Sequence, residues 1–199
     1  TDPEGDVTKY SYNANHWITS AEDGEGYVTE YQYDAGGNIA SVTDGRGNST
    51  RFTYDGLDRL VMVVDAENGV TTYTYDEIGN VTATSTPNDA TVSAAYDKNG
   101  RKVSETDGEG YTTAFTYDGN GNLTSKTDPR EGTTTYTYDA DNRLTKVTTP
   151  MGFETAYVYD SLGQLVAVIN ANQGMDQATY DADGRLTSVT TPLGLVTGY

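Results

Sequence analysis

There is no cysteine in these 199 residues, and only one histidine and one tryptophan. The first absence rules out disulfides, thiol nucleophiles and cysteine-based zinc sites. The second leaves His16 as the single imidazole, so no Ser-His-Asp set exists beyond it. Basic residues are few: 12 Lys and Arg stand against 30 Asp and Glu, for a net charge of -18. That balance repels nucleic acid and anionic lipid and makes divalent cations the more natural partners. No apolar run approaches the ~20 residues of a membrane span, so no membrane insertion is expected. No leader is visible, and because the chain opens Thr-Asp-Pro without Met, a leader can lie outside this segment. Leu, Ile and Phe are scarce. Helix-period amphipathicity is absent too, which leaves no helix to cover a sheet face.

What is abundant is strand and turn chemistry: 17 Tyr, 22 Gly, and Thr and Val throughout. The Tyr are periodic. They recur every 21 residues at Tyr12, Tyr33, Tyr54, Tyr75, Tyr96, Tyr117, Tyr138, Tyr159 and Tyr180, and Asp follows all but the first, where Asn13 stands. Residues 1–199 therefore read as one continuous array of nine repeats, a fragment of a longer array. Both termini fall mid-pattern, and the expectation is that they pair with more of the same chain or with neighbouring subunits.

Two residues before each anchor Tyr stands a second aromatic, as at Tyr31, Phe52, Tyr73, Phe115, Tyr136 and Tyr157; Ala94 and Ala178 break the column. A spacing of two puts both aromatics on one strand face. Six residues after the anchor comes an aliphatic, with Lys102 the exception, and a Val often follows three later, as at Val42, Val63 and Val147. The aliphatic is expected to join the Tyr face. If that face forms a buried core, Tyr54→Ala or Tyr117→Ala should each cost ~3 kcal/mol or more.

Two reversals separate the strands. The first is Tyr-Asp-x-x-Gly, with Asp34, Asp76, Asp118 and Asp160 opening turns that reach Gly37, Gly79, Gly121 and Gly163. In three repeats His16, Asp58 and Asn142 replace that Gly; these residue types are enriched at positive φ, so the column reads as left-handed. The second reversal varies: Asp23 to Gly26, Asp44 to Gly47, Asp107 to Gly110, Thr149 to Gly152, Thr191 to Gly194. Three repeats place Gly one residue later, at Gly69, Gly132 and Gly174, and the turn from Thr86 to Asp89 has none. A bulge or a one-residue trim in the adjacent strand is expected to absorb the shift. Tight turns of this length join antiparallel neighbours. The fold class is thus all-β: tandem 21-residue β-hairpins in one long antiparallel sheet, coiled into a hollow shell or tube so that the Tyr face leaves water.

The stretch Tyr33-Asp34-Ala35-Gly36-Gly37-Asn38, continuing through Thr43-Asp44 to Gly47, resembles the YD/RHS repeat family of bacterial Rhs and toxin-shell proteins and teneurin-like proteins. The resemblance covers the whole chain. It implies large secreted or cell-surface proteins whose repeats wind a strip of sheet into a hollow shell. The core-associated region with its self-cleaving aspartate site is missing here, as is a C-terminal effector. The unusually uniform period suits a helically regular tube. The expected role is a structural wall segment of an extracellular tube, fibre or shell, probed against two alternatives: a toxin cocoon wall protecting an effector, and an adhesive surface for glycan or protein. Expected partners are further repeats or identical subunits, with an encapsulated effector or surface glycan as further candidates. The location expected is extracellular or at the cell surface, by secretion from a bacterial source.

No enzyme is expected. A catalytic carboxylate pair is needed once, not eight times at fixed spacing, so the Asp column reads as turn caps. No cofactor is expected beyond weak Ca2+ binding by the acidic turns Asp23 to Glu25, Asp65 to Glu67 and Asp107 to Glu109. Trp17 reads as seam packing. Asn48, Asn80 and Asn122 begin Asn-x-Ser/Thr sequons that matter only in a eukaryotic source.

Overall fold

The computed structural model describes residues 7–88 and 90–199, so Asp89 and the first six residues, where the opening turn-like segment was expected, lie outside the description. Among the described residues there are nineteen strands and no helix. Six-residue strands ending in the anchor Tyr, such as Val28–Tyr33 and Thr133–Tyr138, alternate with five-residue strands such as Ile39–Thr43 and Leu144–Thr148. Thr, Val and Tyr dominate both kinds, as a pleated surface favours.

The chain forms two compact units. The first runs to Arg101 and includes Thr106–Gly110; the second comprises Lys102–Glu105 and Tyr111–Tyr199. In the first, the strands from Lys9–Tyr12 to Thr91–Tyr96 pair antiparallel in sequence order. In the second, the strands from Thr112–Tyr117 to Val196–Gly198 do the same. Within each unit a strand touches only its neighbours in sequence, so each is a single-layer meander.

Register separates two faces. Tyr31 lies opposite Val42, Tyr33 opposite Ile39, and Val42 opposite Thr50 on its other side. One face therefore carries the aromatics, the aliphatics and a row of Thr. The other carries residues such as Glu30, Ser41 and Arg51. Ile39 and Val42 are three apart, which in a regular strand would send them to opposite faces. A β-bulge between Gln32 and Tyr33 leaves Ala40 without a partner and returns both to the Tyr face. The same irregularity recurs beside Tyr12, Tyr54, Tyr75, Tyr117, Tyr138, Tyr159 and Tyr180.

The expectation of a buried Tyr core is corrected. Tyr33, Tyr54, Tyr75, Tyr96, Tyr117, Tyr138, Tyr159 and Tyr180 are half-buried, and Tyr12 is exposed. Ala167 alone is buried among the described residues. One sheet layer shields its rings only by packing them against each other, because no helix or second sheet lies over them within either unit.

Candidate functional site

Among the described residues, the two kinds of reversal share one loop. Asp34 N–H donates to the Asn38 carbonyl at 2.9 Å and Gly37 N–H to the Asp34 carbonyl at 3.2 Å. The Asp34 carboxylate Oδ1 accepts from the N–H groups of Gly36 and Asn38, both at 2.9 Å. In the second reversal Asp44 repeats this pattern with Gly47, Arg46 and Asn48. A side chain that bonds its own backbone two residues on favours reversal, and here it caps the residue four on as well. Asp76, Asp118 and Asp160 stand in the same relation to Gly79, Gly121 and Gly163, whose N–H groups donate to them at 3.2, 3.2 and 3.1 Å. The left-handed column has φ of 91° at Gly37, 94° at Gly79, 95° at Gly121 and 83° at Gly163. His16, Asp58 and Asn142 share it at 62°, 58° and 63°.

The expected compensation for Gly69, Gly132 and Gly174 does not occur. The left-handed residue stays in register: Asn68, Glu131 and Gln173 adopt φ of 66°, 63° and 63°. The glycine one place later serves a different purpose. A Cβ at Gly69 or Gly132 would stand 2.5 Å from the preceding turn carboxylate, Asp65 or Asp128, and at Gly174 2.7 Å from the Asn170 amide. These loops need no bulge or trim, since their backbone matches the others. The turn opened by Thr86 includes Asp89, outside the described residues.

Seven turn carboxylates are held below the ordinary carboxylate range by bonds to their ionised form. The Asn38 N–H keeps Asp34 below the ordinary carboxylate range, and the N–H groups of Arg101 and Arg143 do so for Asp97 and Asp139. The Asn48, Asn80 and Asn122 side-chain amides lead at Asp44, Asp76 and Asp118, and the Arg59 guanidinium at Asp55. The three sequon asparagines are thus occupied inside their own turns, at 2.8 to 2.9 Å from the carboxylate. In the acidic turns, one oxygen of Asp23, of Asp65 and of Asp107 accepts backbone N–H groups. Among the described residues no group of three or more His, Asp or Glu is arranged to hold a metal. His16 donates its backbone N–H to Asn13 within the first turn.

Neighbouring repeats meet along a seam. Five anchor hydroxyls reach back one strand: Tyr33 donates to the Ile18 carbonyl, Tyr75 to Leu60, Tyr117 to Lys102, Tyr159 to Leu144 and Tyr180 to Leu165, at 2.7 to 3.0 Å. The residue five after the anchor Tyr completes the link. From Asn38 onward this column alternates amide and guanidinium: Asn38, Arg59, Asn80, Arg101, Asn122, Arg143, Gln164, Arg185. Arg59 pairs with Asp55 at 2.7 Å, lies 4.6 Å over the Tyr75 ring and donates to the Asp76 carbonyl at 3.1 Å. Arg143 pairs with Asp139 and lies 5.1 Å over Tyr159. Asn38 instead bonds Asp34 and reaches Asp58 at 2.8 Å, and Asn122 bonds Asp118 and reaches Asn142 at 2.8 Å. Alternation keeps guanidinium groups from lying on adjacent repeats about 10 Å apart.

In some repeats this column also crowds the left-handed residue of the following repeat. After a long side chain that residue is Gly. A Cβ at Gly37 would come within 2.8 Å of Trp17, at Gly163 within 3.1 Å of Arg143 and at Gly184 within 3.0 Å of Gln164. After the short Asn38 and Asn122 it is Asp58 and Asn142, each accepting a hydrogen bond, whereas after Asn80 it is Gly100. Trp17 also packs on Tyr33, with ring centroids 5.0 Å apart, which places it at the seam as expected. Sequence reasoning identified the turn column but missed this pairing, although the alternation at that column was its visible signal.

Such geometry defines a tandem-hairpin repeat with turn caps and inter-repeat staples. The chain belongs to the Teneurin YD-shell family, whose model matches residues 3–117, more than half of it. The RHS Repeat model matches residues 117–152, 138–174 and 180–199. A search of curated proteins gave no match. Among solved structures, "Crystal Structure of TcdB2-TccC3-TEV" is similar with a TM-score of 0.68 at 15% identity, over 92% of this chain and 11% of that one. "Crystal Structure of TcdB2-TccC3" gives 0.69 at 15%, over 92% and 12%. A Photorhabdus luminescens Tc holotoxin pore gives 0.62 at 17%, again over 92% and 12%. The chain thus spans about one ninth to one eighth of the length of these relatives, and the likeness is one of fold.

Proposed function

We propose that the chain is a wall segment of a large secreted or cell-surface YD-repeat protein, its ribbon forming part of an extracellular shell, tube or fibre. The observation that carries this reading is one-sidedness. The Tyr columns share a face that is only half-buried, and within each unit nothing lies over it. A wide apolar face left in water is an association hazard, and a twisted strip removes it by curling on itself. Family membership and the fold shared with the TcdB2-TccC3 structures support the shell form. The role is structural rather than catalytic, since the repeated carboxylates are engaged as turn caps. Further repeats of the same chain or identical subunits are the natural partners.

Electron micrographs of the full-length native protein test the reading. Hollow shells or tubes are expected, and compact solid particles or flat ribbons would overturn it. The encapsulating variant, with an effector inside, is favoured by the likeness to the TcdB2-TccC3 structures. Protection of a C-terminal segment from added protease, lost when the shell is opened by acid, is the result expected of it.

A further inference from the structure

The aromatic column of the second unit has one gap, at Ala178. Its cross-strand partner is Val189, and Tyr180 lies opposite Leu186. Without a ring at 178 the Tyr face opens into a depression of about 230 Å³, lined by Leu165, Val168, Ala178, Tyr180, Leu186 and Val189 among others. That is below the ~300–1,000 Å³ usual for small-molecule pockets and suits one long side chain. A second departure occurs in the same strand. The residue four before the anchor Tyr is Thr at 29, 50, 71, 113, 134 and 155, yet here it is Asp176. Asp176 lies opposite Val168, on the Tyr face, and lines the depression. It is half-buried, and among the described residues no hydrogen bond or ion pair to its carboxylate is found. A carboxylate beside apolar walls is complemented by a side chain with an apolar stem and a cationic head.

We infer that this depression is a docking site for one lysine or arginine side chain of a polypeptide held against the Tyr face. An apolar stem lying on Leu165, Val168 and Val189 with a cationic head at Asp176 matches the amphipathic form of those side chains. Thr at that position would satisfy neither charge, and an aromatic at 178 would fill the space for the stem. The inference deepens the shell reading, on which it rests for the source of the guest chain; its test requires no closed shell.

The probe is the peptide acetyl-Thr-Leu-Lys-Leu-Thr-amide, titrated into the full chain while the methyl resonances of Leu165, Val168, Ala178 and Val189 are followed. Saturable shifts confined to these methyls are expected. Asp176→Asn should weaken binding at least fivefold, and Ala178→Tyr should abolish it. Glu30→Gln, an equal charge change on the opposite face, should leave it unchanged. Should Ala178→Tyr fail to fold, the asparagine variant still decides. Absence of saturable shifts, equal loss in Asp176→Asn and Glu30→Gln, or equal affinity for a norleucine peptide would overturn the site. None of those outcomes bears on whether micrographs show hollow particles, so the two readings fail separately.

Discussion

The hydroxyl of Tyr75 donates to the carbonyl oxygen of Leu60, fifteen residues upstream, at 2.7 Å. Leu60 opens the neighbouring strand of the preceding repeat, and Arg59 lies over the Tyr75 ring. One side chain thereby links two repeats through packing, a hydrogen bond and a cation. Repeat proteins hold together by nearest-neighbour terms of this kind.

Removing only the hydroxyl, in Tyr75→Phe, should cost about 0.5–1.5 kcal/mol, the net worth of one hydrogen bond. Tyr75→Ala should cost roughly 2 kcal/mol, less than the 3–5 of a fully buried aromatic because the ring is half-buried. Denaturant melts compare the two. Equal losses would mean that the ring itself contributes nothing.

The pairing of Arg143 with Gly163 predicts coupling. Gly163→Asn should destabilise through contact with the guanidinium, since its Cβ would lie 3.1 Å from Arg143 Nη1. In an Arg143→Asn background the same change should be tolerated, giving the Asn-to-Asn bond already present between Asn122 and Asn142. A double-mutant cycle reads the coupling, expected at about 0.5–3 kcal/mol for residues in contact. Gly79→Asn, where a Cβ meets nothing within 4 Å, is the tolerated control.

In the turn from Asp65 to Gly69, two adjacent residues should respond oppositely. Asn68→Gly relieves a left-handed non-glycine residue and should be neutral or stabilising by up to about 1 kcal/mol. Gly69→Ala places a Cβ 2.5 Å from the Asp65 carboxylate and should destabilise. Thermal melts of the two variants check the order.

Acid should weaken the ribbon. The folded-state pKa values of Asp34, Asp44, Asp55, Asp76, Asp97, Asp118 and Asp139 are depressed by bonds to the ionised form. A group depressed on folding stabilises above its unfolded pKa, near 4, and that contribution is lost as pH falls through the folded value. Melting temperature should therefore hold steady from pH 7 to about 5 and decline below about 4. A flat profile down to pH 2 would contradict the role of the carboxylates as caps.

The hairpin repeat and its turns were legible because each imposes a residue type at a fixed offset: Tyr at the strand end, Asp at the turn, a left-handed residue three after it. Three features were not. The bulge beside eight of the anchor tyrosines was encoded in the odd spacing of residues such as Ile39 and Val42, which alone does not say that both share a face. Gly69, Gly132 and Gly174 misled because glycine signals either positive φ or lack of room, and at these sites it is room. The half-burial of the Tyr columns depends on what lies over a face, and no pattern within one strand reports that.

Contacts between the anchor rings and the backbone of the preceding repeat test the central claim most directly. In nuclear Overhauser spectra of the chain labelled at Tyr, the Tyr75 ring should show cross-peaks to Leu60 and the Tyr159 ring to Leu144. Cross-peaks instead to Ala83 and Ala167, which belong to the opposite face, would contradict a ribbon stapled along one side by its tyrosines.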